Sequence, residues 1–141
     1  SRDISQYNVD HIFPLNKEEE INAAVGHKVD LNRIGNLQLL YHPLNRDEKR
    51  DMWPADWFQT ISQHEEAEIQ RVNQYPDVSL EPDMAEKFIT AREKQLIDYL
   101  EQSYVKWTAQ QASFINRDAG TSYMAYFPLK SSAGIGSYFT G

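Results

Sequence analysis

An aspartate and a histidine stand side by side near the start of the sequence, as Asp10-His11, shortly before Pro14. Hydrolysis of a phosphodiester needs a base that takes a proton from water and a cation that neutralises charge in the transition state. A histidine is a suitable base near neutral pH, and a carboxylate offers Mg²⁺ a hard oxygen ligand. An isolated Asp-His pair would be weak evidence, so the residues that follow it matter.

Two further polar residues follow in an order that strengthens this hypothesis. Gly35-Asn36 is a turn signal, and Asn45 stands where the pattern becomes helical. The amide oxygen of Asn45 is a candidate second metal ligand, although an asparagine at a helix start is often only an N-cap. Asn36 in a turn would bond to backbone groups, so its structural and functional roles coincide.

Basic residues near Asn45 are candidate substrate contacts. Lys49 lies one helical turn beyond it, and His42 and Arg46 are its close neighbours in the sequence. We predict that these three side chains contact phosphate, with a role as an extra metal ligand as the alternative for His42. The alternative for Lys49 and Arg46 is a solvated helix face on which basic and acidic residues pair with each other.

The elements that must position these residues form the order strand, insertion, strand, helix. Alternation predicts a strand at Tyr7–Leu15, and the apolar run after the turn signal predicts a second at Leu37–Tyr41. Between them a short helix is predicted over Lys17–Val25, with Asn16 as its N-cap and Gly26 at its end. A helix starting near Asn45 would complete a ββα unit.

The second half of the chain is predicted to be mostly helical. Pro54 suits the first turn of a helix that contains Trp57, Phe58 and Ile61, and residues 64–75 are predicted to continue as helix. The longest predicted helix covers 83–110. It carries an apolar stripe that we interpret as one buried face, made of Ala85, Phe88, Ile89, Leu96, Tyr99, Leu100, Tyr104 and Trp107.

The residue sequence of these motifs resembles the signature of HNH nucleases, also called ββα-metal or His-Me finger nucleases. The run D-H-I-F-P begins at Asp10, G-N-L-Q-L-L begins at Gly35, and Asn45 follows. The motif sequences are similar above all to those of the C-terminal nuclease domain of GmrSD-type, modification-dependent restriction enzymes. The resemblance covers residues 7–53 well and residues 54–107 loosely.

The resemblance implies a role for each matching residue. His11 would be the general base, Asp10 and Asn45 would bind Mg²⁺ or, as an alternative, Mn²⁺, and Asn36 would brace the loop between the strands. The substrate would be DNA, in double-stranded form, cut by a domain of a larger bacterial restriction or anti-phage protein in the cytoplasm. An upstream nucleotide-binding sensor domain of the same protein or complex would be a partner.

The predicted fold class is α+β, with a ββα-metal (HNH) core and a mostly α-helical C-terminal half. We predict the nuclease core at 1–60, a helical extension packing on it at 61–111, and a partly strand-like or flexible tail at 112–141. No apolar run reaches the length of roughly 20 residues that a spanning helix needs, so no membrane partner is expected.

The charge balance is unusual for a protein that holds nucleic acid alone. Fourteen basic residues face twenty-one acidic ones, which gives a net charge of −7, whereas such binders are usually basic. We therefore expect another domain or subunit to hold the DNA. Two alternatives stay open: an inactive ββα module that binds DNA or a protein partner, and a relative that is RNA-directed or cuts RNA.

Overall fold

The structure, a computed structural model, describes residues 3–41, 49 and 51–119, and within them it has an α+β fold. This confirms the predicted class. The strands and helices, in chain order, are β1 (Tyr7–His11), α1 (Glu18–Val25), β2 (Leu37–Tyr41), α2 (Pro54–Phe58), α3 (Gln63–Val72) and α4 (Ala85–Ala119).

The two strands form an antiparallel pair. Tyr7 lies opposite Tyr41, and His11 lies opposite Leu37. β2 has the predicted bounds, but β1 ends at His11 rather than at the predicted Leu15. The chain leaves the sheet there because the next residues are drawn into the core, where the side chains of Ile12 and Phe13 are fully buried.

Helix α1 lies in the segment that joins the strands. Gly26 ends it as predicted, in the left-handed conformation with φ of 96°, which glycine adopts without steric cost. The predicted cap at Asn16 is wrong. A 3₁₀ turn over Leu15–Lys17 occupies this position, and the helix begins after Lys17 without a side-chain cap.

The outer edge of β2 is closed by one side chain. Asn73, which follows α3, accepts a hydrogen bond from the backbone N–H of Leu39 and donates one to its carbonyl, at 2.8 and 3.0 Å. It imitates the pairing of a third strand and satisfies edge groups that would otherwise face solvent or another chain. The end of α3 is thereby fixed against the sheet.

The hydrophobic core has two adjoining clusters. One joins α1 and the start of α4 to the residues after β1, and Ile12, Phe13 and Phe88 belong to it. The other joins β2 to α2 and α3. Tyr75 and Leu80 pack against both clusters. Residues beyond 60 thus pack against the residues of the predicted ββα segment, while the predicted boundaries at 60 and 111 stay predictions.

The long helix α4 is buried only at its beginning. Ala85, Phe88 and Ile89 are fully buried, but the later members of the predicted stripe are exposed: Tyr99, Leu100, Tyr104 and Trp107. The prediction of one continuous buried face is therefore wrong for the described part of the chain. Periodicity identifies an apolar side of a helix but does not say whether anything packs on it.

Helix α4 also contains the division between two units of the chain, one ending at Lys94 and the other beginning at Gln95. It continues to Ala119 and includes residues 112–119 of the predicted tail, whose remainder lies outside the described residues. Among the described helices, none has both the length and the apolar character that crossing a membrane requires.

Candidate active site

Asp10 and His11 are the last two residues of β1, and their side chains have different partners. The Asp10 carboxylate faces the interior side of the sheet, with 13% of its side chain exposed. Its Oδ2 accepts a hydrogen bond from Nε2 of Gln38, the residue opposite it in the sheet, at 3.1 Å. The His11 imidazole is half-buried and contacts Asn32. The strand end thus presents a carboxylate and an imidazole from neighbouring residues.

Lys49 connects these two residues. Its side chain is 1% exposed, and its Nζ lies 2.7 Å from Oδ2 of Asp10. The same ammonium donates to the backbone carbonyl of His11 at 2.7 Å, and it lies 5.8 Å from the centre of the Trp57 ring. Burial lowers the pKa of the Lys49 amine, and the neighbouring Asp10 carboxylate opposes that effect. Lys49 is therefore an internal partner of the strand end, and a solvated helix face does not describe it.

A second chain of hydrogen bonds fixes Asp10 from the other side. The Tyr75 hydroxyl donates to Oε1 of Gln38 at 2.7 Å, which orients the Gln38 amide so that its nitrogen points to Asp10. Burial raises the pKa of the Tyr75 hydroxyl, so this group stays a donor. Sequence reasoning missed both residues. The antiparallel register would have placed Gln38 beside Asp10, but no sequence signal identifies Tyr75.

Asn32 is the described partner of the His11 ring. Nε2 of His11 lies 3.0 Å from Oδ1 of Asn32, which is exposed on the loop before β2. Sequence reasoning missed this residue as well. The contact joins residues 21 apart along the chain, so no local pattern indicates it.

Asn36 holds the loops around the site together from inside the protein. Its side chain is fully buried. Oδ1 accepts from the Phe13 backbone N–H at 2.9 Å, and Nδ2 donates to the carbonyls of Phe13 and Leu31 at 3.0 and 2.8 Å. The residues after His11 and before Asn32 are therefore joined through one amide group.

The turn that carries Asn36 is itself fixed from helix α4. The buried Arg92 guanidinium donates to the carbonyls of Gly35 and Leu37 at 3.0 and 2.6 Å. Burial lowers the pKa of Arg92. A Cβ on Gly35 would lie 2.1 Å from the carbonyl oxygen of Ile89, so only glycine allows this approach of turn and helix. Gly35 and Asn36 thus have separate structural tasks.

Three of the predicted site residues, His42, Asn45 and Arg46, lie outside the described residues. The described part of the chain brings His11, Asp10, Asn36 and Lys49 together. Within it, no group of three or more histidine, aspartate or glutamate side chains is arranged to hold a metal ion.

The sequence profile of one protein family matches most of the chain. The family is described as "GmrSD restriction endonucleases, C-terminal domain", and the match covers residues 1–99. This range contains both strands, the Asp10-His11 pair and the start of α4. Searches of curated proteins and of solved structures gave no match.

Proposed function

Because the chain belongs to the family of C-terminal domains of GmrSD restriction endonucleases, we propose that it is a metal-dependent endonuclease domain of the HNH type. In this proposal the ββα-metal unit is formed by β1, β2 and the segment from Asn45, and the reaction is hydrolysis of a DNA phosphodiester. The observation that carries the proposal is the position of His11 and Asp10. They are adjacent at a strand end that Lys49 and Asn36 hold in place.

His11 acts as the general base. Its imidazole takes a proton from water, and the water oxygen forms a bond to phosphorus. The bond from phosphorus to the leaving sugar oxygen breaks, its electron pair stays on that oxygen, and the oxygen takes a proton from solvent. The base must stand in a fixed place and remain accessible to water. His11 meets both conditions because its ring is half-buried and bonded to Asn32.

The donor chemistry of Asp10 fits Mg²⁺ or Mn²⁺. A carboxylate oxygen is a ligand that both ions accept, and both described contacts of this carboxylate, with Lys49 and Gln38, involve Oδ2. Asn45 is proposed as the second protein ligand. A bound cation would supply charge neutralisation at the phosphate oxygens. Asp10 would hold it, while Gln38 and Lys49 orient the carboxylate.

Lys49 has a different part in this proposal from the phosphate contact that its sequence position suggests. A buried ammonium bonded to Asp10 and to the His11 carbonyl stabilises the strand end and leaves little surface for DNA. Contacts with phosphate are therefore proposed for His42 and Arg46.

The acidic character of the chain is explained if the domain cuts DNA that another part of the assembly holds. A net charge of −7 disfavours autonomous binding to a polyanion. We propose double-stranded DNA as substrate and a nucleotide-binding sensor domain, of the same protein or complex, as the partner that brings it. Bacterial defence against foreign DNA is the corresponding biological setting.

The test is cleavage of supercoiled plasmid with Mg²⁺ or Mn²⁺, comparing the wild type with His11→Ala. His64, an exposed histidine on α3, gives the matched control His64→Ala. We expect nicking that requires the metal, stops with EDTA, persists in His64→Ala and is lost in His11→Ala. Cleavage that survives His11→Ala would contradict the assigned base.

Two other results would replace the proposal. Cleavage of RNA but not DNA under the same conditions would favour the RNA-cutting relative. A folded chain that cuts nothing, even when combined with its sensor domain, would favour an inactive module that binds DNA or a protein.

A further inference from the structure

We propose that Asn32 is a positioning residue that fixes the tautomer of His11 and so selects Nδ1 as the nitrogen that takes the proton from water. The role in catalysis rests on the proposed function, whereas the tautomer does not. An amide oxygen only accepts hydrogen bonds. In the hydrogen bond that joins Nε2 of His11 to Oδ1 of Asn32 over 3.0 Å, Nε2 is therefore assigned as the donor, with the hydrogen on it. A neutral imidazole has one N–H, so its lone pair lies on Nδ1.

The loop that presents Asn32 is held on both sides. Leu31, before it, is buried, and its carbonyl accepts from Asn36. The Asn32 backbone N–H donates to the Asp30 carboxylate at 2.9 Å. On the other side, the Arg33 guanidinium is bonded to helix α4. Because its loop is held in this way, the Asn32 amide oxygen can favour one orientation of the His11 ring. An acceptor on a mobile loop would instead adjust its position to the ring.

His11 and Asn32 also share one anchor. Asn36 bonds Phe13, two residues after His11, and Leu31, one residue before Asn32. The imidazole and its acceptor therefore lie on segments that cannot move far apart while Asn36 keeps its bonds. Without the Asn32 amide the strand end would remain in place, but the ring could rotate and present either nitrogen to water.

The tautomer can be measured without metal or DNA. Long-range ¹H–¹⁵N correlation spectra of the ¹⁵N-histidine-labelled, 141-residue chain distinguish a protonated ring nitrogen from an unprotonated one. The spectra are recorded in alkaline buffer, in which free imidazole is neutral. His11→Ala identifies the His11 signals by their loss. We expect the wild type to show hydrogen on Nε2 and a lone pair on Nδ1.

Three variants distinguish the effect of the Asn32 amide from a general effect of mutation. Asn32→Ala is expected to bring the two ¹⁵N shifts closer together, because the tautomers then mix. Asn32→Asp keeps an oxygen acceptor and is expected to keep the shifts apart. Asn16→Ala changes another exposed asparagine, in the turn Leu15–Lys17, and is expected to leave them unchanged.

Cleavage measured with the same variants tests the positioning role. Asn32→Ala is expected to lower kcat on the order of tenfold, the lower end of the effect seen for groups that orient metal-bound histidines, with little change in KM. Asn32→Asp is expected to recover most of the loss, because the acceptor rather than the amide nitrogen orients the ring.

The other possible outcomes contradict either the tautomer assignment, the positioning role or the proposed function. Hydrogen on Nδ1 in the wild type, or identical shifts in the wild type and Asn32→Ala, would overturn the inference. Equal kcat in these two proteins would overturn the positioning role. If the shifts change as expected but the wild type cuts no nucleic acid, the proposed function fails while the tautomer assignment stands.

Discussion

Replacing Lys49 by methionine should destabilise the protein strongly, because the change leaves a largely buried carboxylate without its cation. Lys49→Met keeps a long apolar side chain against Trp57 and removes the ammonium that lies 2.7 Å from Asp10. Removing one partner of a buried ion pair costs about 3–5 kcal/mol. Asp10 is still 13% exposed and keeps the bond from Gln38. We therefore expect the lower end, about 3 kcal/mol of unfolding free energy.

Urea denaturation followed by circular dichroism measures this loss, and a double-mutant cycle assigns it to the pair. In the background of Asp10→Asn, the change Lys49→Met should cost at least about 1 kcal/mol less than in the wild type. Lys87→Met is the matched control, since Lys87 is exposed on α4. It should change stability by no more than about 0.5 kcal/mol.

Two results would refute this account of Lys49. A loss below about 0.5 kcal/mol would show that the ammonium is not buried against the carboxylate in solution. An equal loss in the wild type and in the Asp10→Asn background would show that the side chain matters for packing and not for charge. The first of these two results would favour a contact of Lys49 with phosphate.

Two further changes test the surroundings of the site. Gly35→Ala should cost about 2–3 kcal/mol of unfolding free energy, because its methyl group would meet the Ile89 carbonyl at 2.1 Å; Gly26→Ala, where the space is open and only φ is unfavourable, should cost about 1 kcal/mol. Burial raises the pKa of Tyr75, so the folded state keeps a proton that the unfolded state loses above about pH 10, and stability should fall as the pH rises beyond that value. The unfolding midpoint, measured at increasing pH, should fall less steeply for Tyr75→Phe than for the wild type. Equal slopes for the two proteins would contradict the raised pKa assigned to Tyr75.

Local patterns in the sequence predicted the elements well wherever local physics decides them. The second strand, Leu37–Tyr41, has its predicted bounds because a turn signal precedes it and alternation fits burial on one face. Pro54 begins a helix because its missing N–H costs nothing in the first turn. The first strand was predicted too long, since alternation continues through Ile12 and Phe13, which instead enter the core.

The residues that support the candidate site were not predictable in the same way. Lys49 is basic and lies among charged residues, a context typical of a solvated surface, and only tertiary packing buries it against Asp10. Tyr75 meets Gln38 across 37 residues of chain. Such contacts depend on how whole elements pack, and a single sequence carries no direct record of that.

The motif G-N-L-Q-L-L, which suggested a catalytic site, has mainly a positioning role in this structure. In the run that begins at Gly35, the glycine allows the turn to touch α4, and Asn36 joins the loops on both sides of the site. Arg92 holds the carbonyls of the same turn. None of these groups needs to contact a substrate. The spacing of Gly35 and Asn36 is specific because one rigid turn must hold the end of β1. The motif therefore indicates where His11 lies, although Gly35 and Asn36 need not take part in the reaction.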